Sequence, residues 1–390
     1  MHFKTPALVA AWVVTRVWLL LSGFQIIAYP QGENLFADVR LYDWWAGNIQ
    51  DGHFPINDPM WQYPPLAALV FLLGYLIAPQ TIGFVFLATA VDALIFYFLL
   101  EAGLESKKRT YLPAVVWVST AVFMGPVMLG RFDVFPTLFA VLALLFASNS
   151  KLFGINAAVG AVLKVWPALL FLSVTRNNLK KSLIWFALTF GSISVALTIW
   201  WPNSFSFLIG QKSRGLQIES VGALPYMFVN AFIQTMPIEF RYGAVEVVAS
   251  GIGFVSLIIT LIAILLFGQI IFWRFKGLLD QVSVSEIALY VVLVSMVTSR
   301  VLSPQYMVWV FGLLAVVALN PTSNFKKVYS LLAISAFCGQ LIYPVLYFGY
   351  MEGDLIALIV QSIRIATLIW ATYLLWSGIN KTKSKSQLIT

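Results

Sequence analysis

Charge is scarce in this chain. Only 10% of its 390 residues are Asp, Glu, Lys or Arg, against about 25% in a typical soluble domain. Sixty per cent are hydrophobic, and the mean hydropathy is +0.88. A long soluble domain is excluded, and an all-α polytopic membrane protein is expected, as one unit over residues 1–390. Cysteine is almost absent, so the single Cys338 forms no internal disulfide framework. One Cys and two His argue against a His/Cys metal site. There is no Walker loop and no GxGxxG leading out of a strand, so neither nucleotide chemistry nor a cofactor is indicated. The opening MHFKTPALVAAWVVTRVWLLLSGF lacks a small-residue cleavage site. Its apolar run is too long for a signal-peptide core, so it reads as a retained first span. The net charge of +8 does not point to nucleic acid. The Lys and Arg lie in short clusters between apolar runs, as in cytoplasmic loops beside lipid head groups.

Apolar stretches near the roughly 20 residues that cross a bilayer occur at about 7–29, 82–100, 111–129, 133–148, 182–201, 244–272, 284–299, 306–319, 328–349 and 355–376. Residues 64–79 are short and Pro-flanked, and 154–175 contains Lys164 and Pro167. With these two, about 10–13 membrane helices are expected. The basic clusters are Lys107–Arg109, Arg176–Lys181, Arg274 with Lys276, Lys326–Lys327, and Lys381, Lys383 and Lys385. Placing them all in the cytoplasm puts both termini inside and residues 30–81 outside, if 64–79 does not cross. The 154–175 stretch then goes in and returns, with a turn near Lys164–Pro167. Letting 64–79 cross would strand Lys107–Arg109 outside.

This topology gathers four polar segments on the outer face: 30–63, GRFD at 130–133, the loop 202–243, and RVLSPQ at 300–305. Within 38–50, Leu41, Trp44, Trp45, Asn48 and Ile49 recur at helical spacing, which predicts a short interfacial helix. A second, half-embedded helix is expected over 64–79. Nothing reads as strand.

Five motifs in order carry a resemblance that covers most of the chain. They are FADVRLY with Asp38, GHFPINDPMWQYPPLAALV, GRFDVFPTLFAVLALL, GAVLKVWPALLF, and VLSPQYMVW at 301–309. Together they resemble the GT-C glycosyltransferases of the family-87 type, which use polyprenyl-phosphate mannose as donor. Gln62 stands where that family often has Glu, and SPQY where one branch tends to carry His. These departures bear on the acceptor rather than the reaction type. The resemblance implies an integral-membrane hexosyltransferase, with mannose as the expected sugar. It would take the sugar from a polyprenyl-phosphate donor to a hydroxyl of a glycolipid or glycan acceptor. Transfer would occur on the extracytoplasmic face of the cell membrane, with inversion and without a metal.

Such a transfer needs a carboxylate to accept the hydroxyl proton. Asp38 is the candidate base; its alternative role is an N-cap. Asp133 is an acceptor-binding or second carboxylate, or else an ion-pair partner or cap. Arg131 is a phosphate ligand or an interfacial anchor. Lys164, inside apolar sequence, is a lipid-phosphate ligand or a snorkelling Lys. Arg300 is a further phosphate candidate. Gln305, Tyr306, Tyr42 and Tyr63 are candidate sugar contacts, and Gln305 and Tyr306 are equally placed to cap a helix. Lys212 and Arg214 are candidates for the donor head group, or simply solvated.

Asp43 is expected to be solvated, and Asp51 and Asp58 to serve turns. Trp44, Trp45 and the Trp200–Trp201 pair are expected as interfacial anchors before sugar platforms. Arg16 and Asp92 are expected to pair at mid-depth, since an unpaired buried charge is costly. Arg241 and Glu246 form a candidate interfacial pair, and Arg364 has no evident partner. Two other readings remain: a lipid-linked sugar flippase or other transporter, and a scaffolding subunit. No internal repeat supports the transporter.

Overall fold

The computed structural model describes residues 4–210 and 214–387. The helices, in chain order, begin with α1 (Lys4–Gly23), α2 (Ala37–Gln50), α3 (Leu66–Ile77) and α4 (Thr81–Glu105). Next come α5 (Leu112–Met124), α6 (Val134–Leu145), α7 (Ser150–Leu163), α8 (Arg176–Trp200) and α9 (Phe207–Gly210). The remainder are α10 (Leu224–Phe232), α11 (Ile252–Phe275), α12 (Val284–Val297), α13 (Met307–Val317), α14 (Phe325–Gln340), α15 (Tyr347–Glu352) and α16 (Leu355–Gln387). The chain is an all-α polytopic membrane protein.

Six stretches are long and apolar enough to cross a membrane: Lys4–Gly23, Thr81–Glu105, Arg176–Trp200, Ile252–Phe275, Phe325–Glu352 and Leu355–Ser384. The other expected spans are shorter. At 1.5 Å per residue, the 12 residues of α6 reach about 18 Å, well short of a hydrocarbon core of about 30 Å. Burial separates the two kinds. Every residue of α13 is buried, whereas α8 buries only Ser182 and Leu197. A helix apolar all round with almost nothing buried faces lipid. The short helices α5, α6, α12 and α13 therefore form the core, and α8 and α11 stand at its periphery.

Two expected local elements are present: α2 over 37–50, and the Pro-flanked α3. α3 turns sharply into α4. A Cβ at Gly83 would come within 1.9 Å of the Gly74 carbonyl oxygen, so only glycine admits this approach. The expected turn near Lys164 is also present. α7 ends at Leu163, Lys164 is extended, and a 3-10 helix follows over Trp166–Leu172.

The expectation of no strands fails. β1 (Leu216–Gln217), β2 (Ile238–Arg241) and β3 (Ala244–Val247) form an antiparallel sheet in the order β1-β3-β2. Ile238 pairs with Val247 and Arg241 with Ala244. The reason is the two-residue turn Tyr242–Gly243, in which both residues have positive φ, 51° and 74°. Two left-handed residues make the tight turn whose twist matches paired strands. The same sheet moves the start of the expected 244–272 span to Ile252.

Arg16 and Asp92 pair as expected, deep between α1 and α4. Nη2 lies 2.8 Å from Oδ1 and Nε 2.9 Å from Oδ2, and both side chains are buried. Trp12 Nε1 donates to the same carboxylate at 2.8 Å, and Arg16 Nη1 donates to the Val118 carbonyl at 3.1 Å.

Removing one member leaves an uncompensated buried charge, which costs about 3–5 kcal/mol. Asp92→Asn is expected to lower the thermal midpoint of the detergent-solubilised protein by several degrees. The double variant Arg16→Met, Asp92→Leu is expected to recover more than half of that loss. Equal midpoints for wild type and Asp92→Asn would show that the pair adds nothing.

Candidate active site

α1 runs between the two ends of the bundle. It starts in a groove shared with Lys108, Arg109 and Pro321, and ends at Gly23 against the Phe36 ring. Around that second end, three of the four expected outer segments (30–63, 202–243 and 300–305) converge on one cavity of about 440 Å³, and GRFD reaches only the neighbouring one, through Arg131. Asp38, Tyr63, Lys164, Arg214, Gln305 and Tyr306 all line it. A second cavity of about 500 Å³ lies alongside. Asp38, Gln217, Gly243, Ala244, Ser303 and Gln305 line both, so the carboxylate of Asp38 stands in their common wall.

Asp38 is the second residue of α2. Phe36 occupies the cap position, so Asp38 is not the cap. A carboxylate in a first turn is stabilised by the helix dipole. Its Oδ2 is 3.1 Å from Arg131 Nε, and the side chain is 38% exposed. Among the described residues, nothing hydrogen-bonds Oδ1. One oxygen is therefore fixed and the other is available to the cavities.

Arg131 lines the second cavity and is not an interfacial anchor. It is buried, and its fork is already committed. Nη1 donates to the Leu35 and Gly130 carbonyls at 2.9 Å, and Nη2 to Tyr343 Oη at 3.0 Å. Burial alone would lower its pKa; Asp38 first and Tyr343 next reverse that and hold it above its ordinary value. Tyr343 Oη in turn donates to the Asn34 carbonyl at 2.8 Å, closing a loop that fixes the guanidinium.

Asp133 is likewise not a second carboxylate facing an acceptor. It is buried and lines neither cavity. Its Oδ1 accepts from Lys164 Nζ and from Trp309 Nε1, each at 2.6 Å. Lys164 does not snorkel. Its ammonium lies 5.9, 5.3 and 5.1 Å from the ring centres of Tyr63, Tyr306 and Trp309, and its side chain is 20% exposed on the cavity. Trp309 stacks between Tyr306 at 4.1 Å and Trp166 at 5.0 Å, giving the cavity an aromatic wall.

Tyr42 and Tyr63 share a hydrogen bond of 2.8 Å between their hydroxyls. Burial, then the nearby charge of Asp38 among other groups, raises both phenols above their ordinary range. Tyr306 is pushed up to about 12 by burial. All three are neutral hydroxyls at ordinary pH. Gln305 accepts from Ser303 Oγ at 2.5 Å and faces both cavities.

Arg300 does not line either cavity. Its Nη1 donates to the Arg214 carbonyl at 3.2 Å, supporting that segment from behind. Arg214 does face the first cavity, with Nη2 on the Tyr242 carbonyl at 2.6 Å and Nε without a partner among the described residues. Lys212 lies outside the described residues.

The smaller expectations divide. Asp58 makes its turn, accepting from the Met60 amide at 2.8 Å and from Trp45 Nε1 at 2.7 Å. Asp51 closes α2 ahead of the left-handed Gly52. Trp44 and Trp200 are exposed, but Trp45 and Trp201 are buried in aromatic clusters and are not surface anchors. Asp43 is partly buried rather than solvated. That burial raises its pKa, against a hydrogen bond with the Gln80 backbone. Arg241 pairs with Glu239 at 2.7 Å, not with Glu246. Residues 239 and 241 share one face of β2; Glu246, opposite Glu239 in the register, accepts instead from the Gly215 amide at 3.0 Å.

Arg364 has a partner that sequence reasoning missed. Glu219, just after β1, reaches into the bundle and pairs with it, both fully buried. Arg364 Nη2 also donates to the Leu302 carbonyl at 3.1 Å, and the Leu302 amide donates to Gln217 Oε1 at 2.7 Å. This knot ties the β1 loop, the 300–305 turn and α16 together behind Gln305. The signal was present: an intramembrane Arg demands an acid, and Glu219 was unassigned. Among the described residues, no three His, Cys, Asp or Glu side chains come together to hold a metal. No family model matches the chain, and no curated protein matches it.

Arg364→Met leaves Glu219 buried without its cation. It is expected to cost about 3–5 kcal/mol and to expose the 214–251 segment to limited proteolysis several-fold faster. Cleavage at the wild-type rate, with an unchanged midpoint, would show that the knot does not hold the loop.

Proposed function

We propose that this protein is an integral-membrane glycosyltransferase. It moves a hexose, mannose by its sequence resemblance, from a polyprenyl-phosphate donor to a hydroxyl of a glycolipid or glycan, with Asp38 as general base. One observation carries the reading: a carboxylate with one oxygen fixed by a buried guanidinium, and the other free, stands in the wall between two cavities. A transfer between two bulky substrates needs a meeting point of this kind.

In the proposed step, the acceptor oxygen attacks the anomeric carbon of the sugar. The bond from that carbon to the phosphate oxygen breaks on the opposite face, so the configuration inverts. The hydroxyl proton passes to Asp38 Oδ1, and polyprenyl phosphate leaves with the bonding pair. Lys164 and Arg214 put two cations on the first cavity, which suits a departing phosphate. The wall of Tyr306, Trp309 and Trp166 suits a sugar face or a prenyl chain. In the proposed site, Arg131 orients the base from the edge of the second cavity. The membrane is the cell membrane, the site faces its outer side, and both termini face the cytoplasm.

The test is sugar transfer from radiolabelled polyprenyl-phosphate mannose in membranes carrying the wild type or Asp38→Asn at equal abundance. Loss of a positioned base is expected to lower the rate about 10²–10⁴-fold, with the thermal midpoint within a few degrees. Full transfer by Asp38→Asn would remove Asp38 as the base. No transfer by wild type, with mannose and arabinose donors alike, would overturn the enzyme reading in favour of a transporter.

A further inference from the structure

At the end of the bundle opposite the candidate active site, a groove of about 720 Å³ opens between the starts of α1 and α5 and the end of α13. Its floor is apolar, with Leu8, Leu112 and Leu319 among its residues. Its rim carries Lys4, Lys108 and Arg109, all three exposed. Among the described residues, none of the three side chains makes a hydrogen bond or an ion pair, and no carboxylate lines the groove.

The rim is held in place by backbone rather than by side chains. The turn between α4 and α5 is closed by Thr110 N on the Gly103 carbonyl at 2.9 Å and by Arg109 N on the Ser106 carbonyl at 2.9 Å. A Cβ at Gly103 would meet the Thr110 oxygen at 2.2 Å, so the turn lies flat on α4. Arg109 itself has a left-handed backbone, φ 43°. Across the groove, Thr5 Oγ1 lies 3.1 Å from Tyr111 Oη and ties α1 to α5. The two basic segments are thus set at a fixed separation.

We infer that this groove binds an anionic phospholipid, with its phosphate between Lys4, Lys108 and Arg109 and an acyl chain on the apolar floor. Three like charges brought together without a counter-charge repel one another, and a phosphodiester relieves that repulsion. The floor continues into the lipid-exposed flank of the bundle at Val14 and Val115. A ligand with an anionic head and an apolar tail matches rim and floor together. A soluble anion matches the rim alone. The inference is independent of the proposed transferase activity.

The purified full-length protein in detergent is titrated with phosphatidylglycerol or phosphatidylcholine, and bound lipid is counted by native mass spectrometry. Wild type is expected to retain phosphatidylglycerol in preference to phosphatidylcholine. The triple variant Lys4→Ser, Lys108→Ser, Arg109→Ser is expected to weaken that retention about tenfold or more. The control Lys180→Ser, Lys181→Ser removes two exposed charges at the start of α8, away from the groove. It is expected to bind as wild type does. Equal losses in both variants would reduce the effect to bulk charge and overturn the site. So would retention by the triple variant, equal binding of the two lipids, or complete displacement of phosphatidylglycerol by excess inorganic phosphate. Thermal midpoints without added lipid confirm that each variant is folded.

Discussion

A charge inside a membrane protein must be paired, and that constraint organises this molecule. Three cation–carboxylate pairs bury their acid almost completely: Arg16 with Asp92, Lys164 with Asp133, and Arg364 with Glu219. Each joins segments far apart in the chain, so each pair also fixes a tertiary contact. The desolvation penalty of such pairs is repaid only when further hydrogen bonds complete them. Here those bonds come from Trp12, Trp309 and Gln361 with the Leu302 carbonyl, while Asp133 Oδ2 has no partner among the described residues. A fourth pair, Arg131 with Asp38, follows the rule on the cationic side only, as does Arg274 with Asp280 away from the cavities. The Arg131 guanidinium is buried while the Asp38 carboxylate remains open.

That difference separates support from chemistry. Asp133 and Asp38 both belong to motifs of the outer face, yet one is buried on Lys164 and the other is open to both cavities. The elements that carry the site are short or irregular. They include the first turn of α2, the extended residue after α7, the 300–305 turn and a two-residue hairpin. Around them, the fully buried α13 and the aromatic stack at its start supply the rigidity that such segments lack.

Much of this was legible in the sequence. Helical spacing of Leu41, Trp45 and Ile49 gave α2, and the cost of an unpaired charge gave Arg16 with Asp92. The basic clusters predicted which segments share an end of the bundle, and those segments do converge. Three things were not legible. Arg131 and Arg300 look like phosphate ligands by residue type, but what an arginine binds depends on which carbonyls lie within reach, and those come from tertiary structure. The sheet was hidden because Tyr242 does not advertise a left-handed backbone as Asn or Asp would. Several expected spans were too long because hydropathy counts apolar residues without telling a lipid-facing helix from a buried core helix.

The hairpin has one more consequence. Its tip, Gly243 and Ala244, forms part of the septum between the two cavities, together with Met60 and Gln217. At Gly243 a Cβ would meet no atom closer than Met60 Cε, at 4.0 Å. At these two positions the partition carries almost no side chain. The volumes of the two chambers are therefore not independent variables: any larger residue at 243 or 244 takes space from both at once, and what fits on one side is set in part by what already lies on the other.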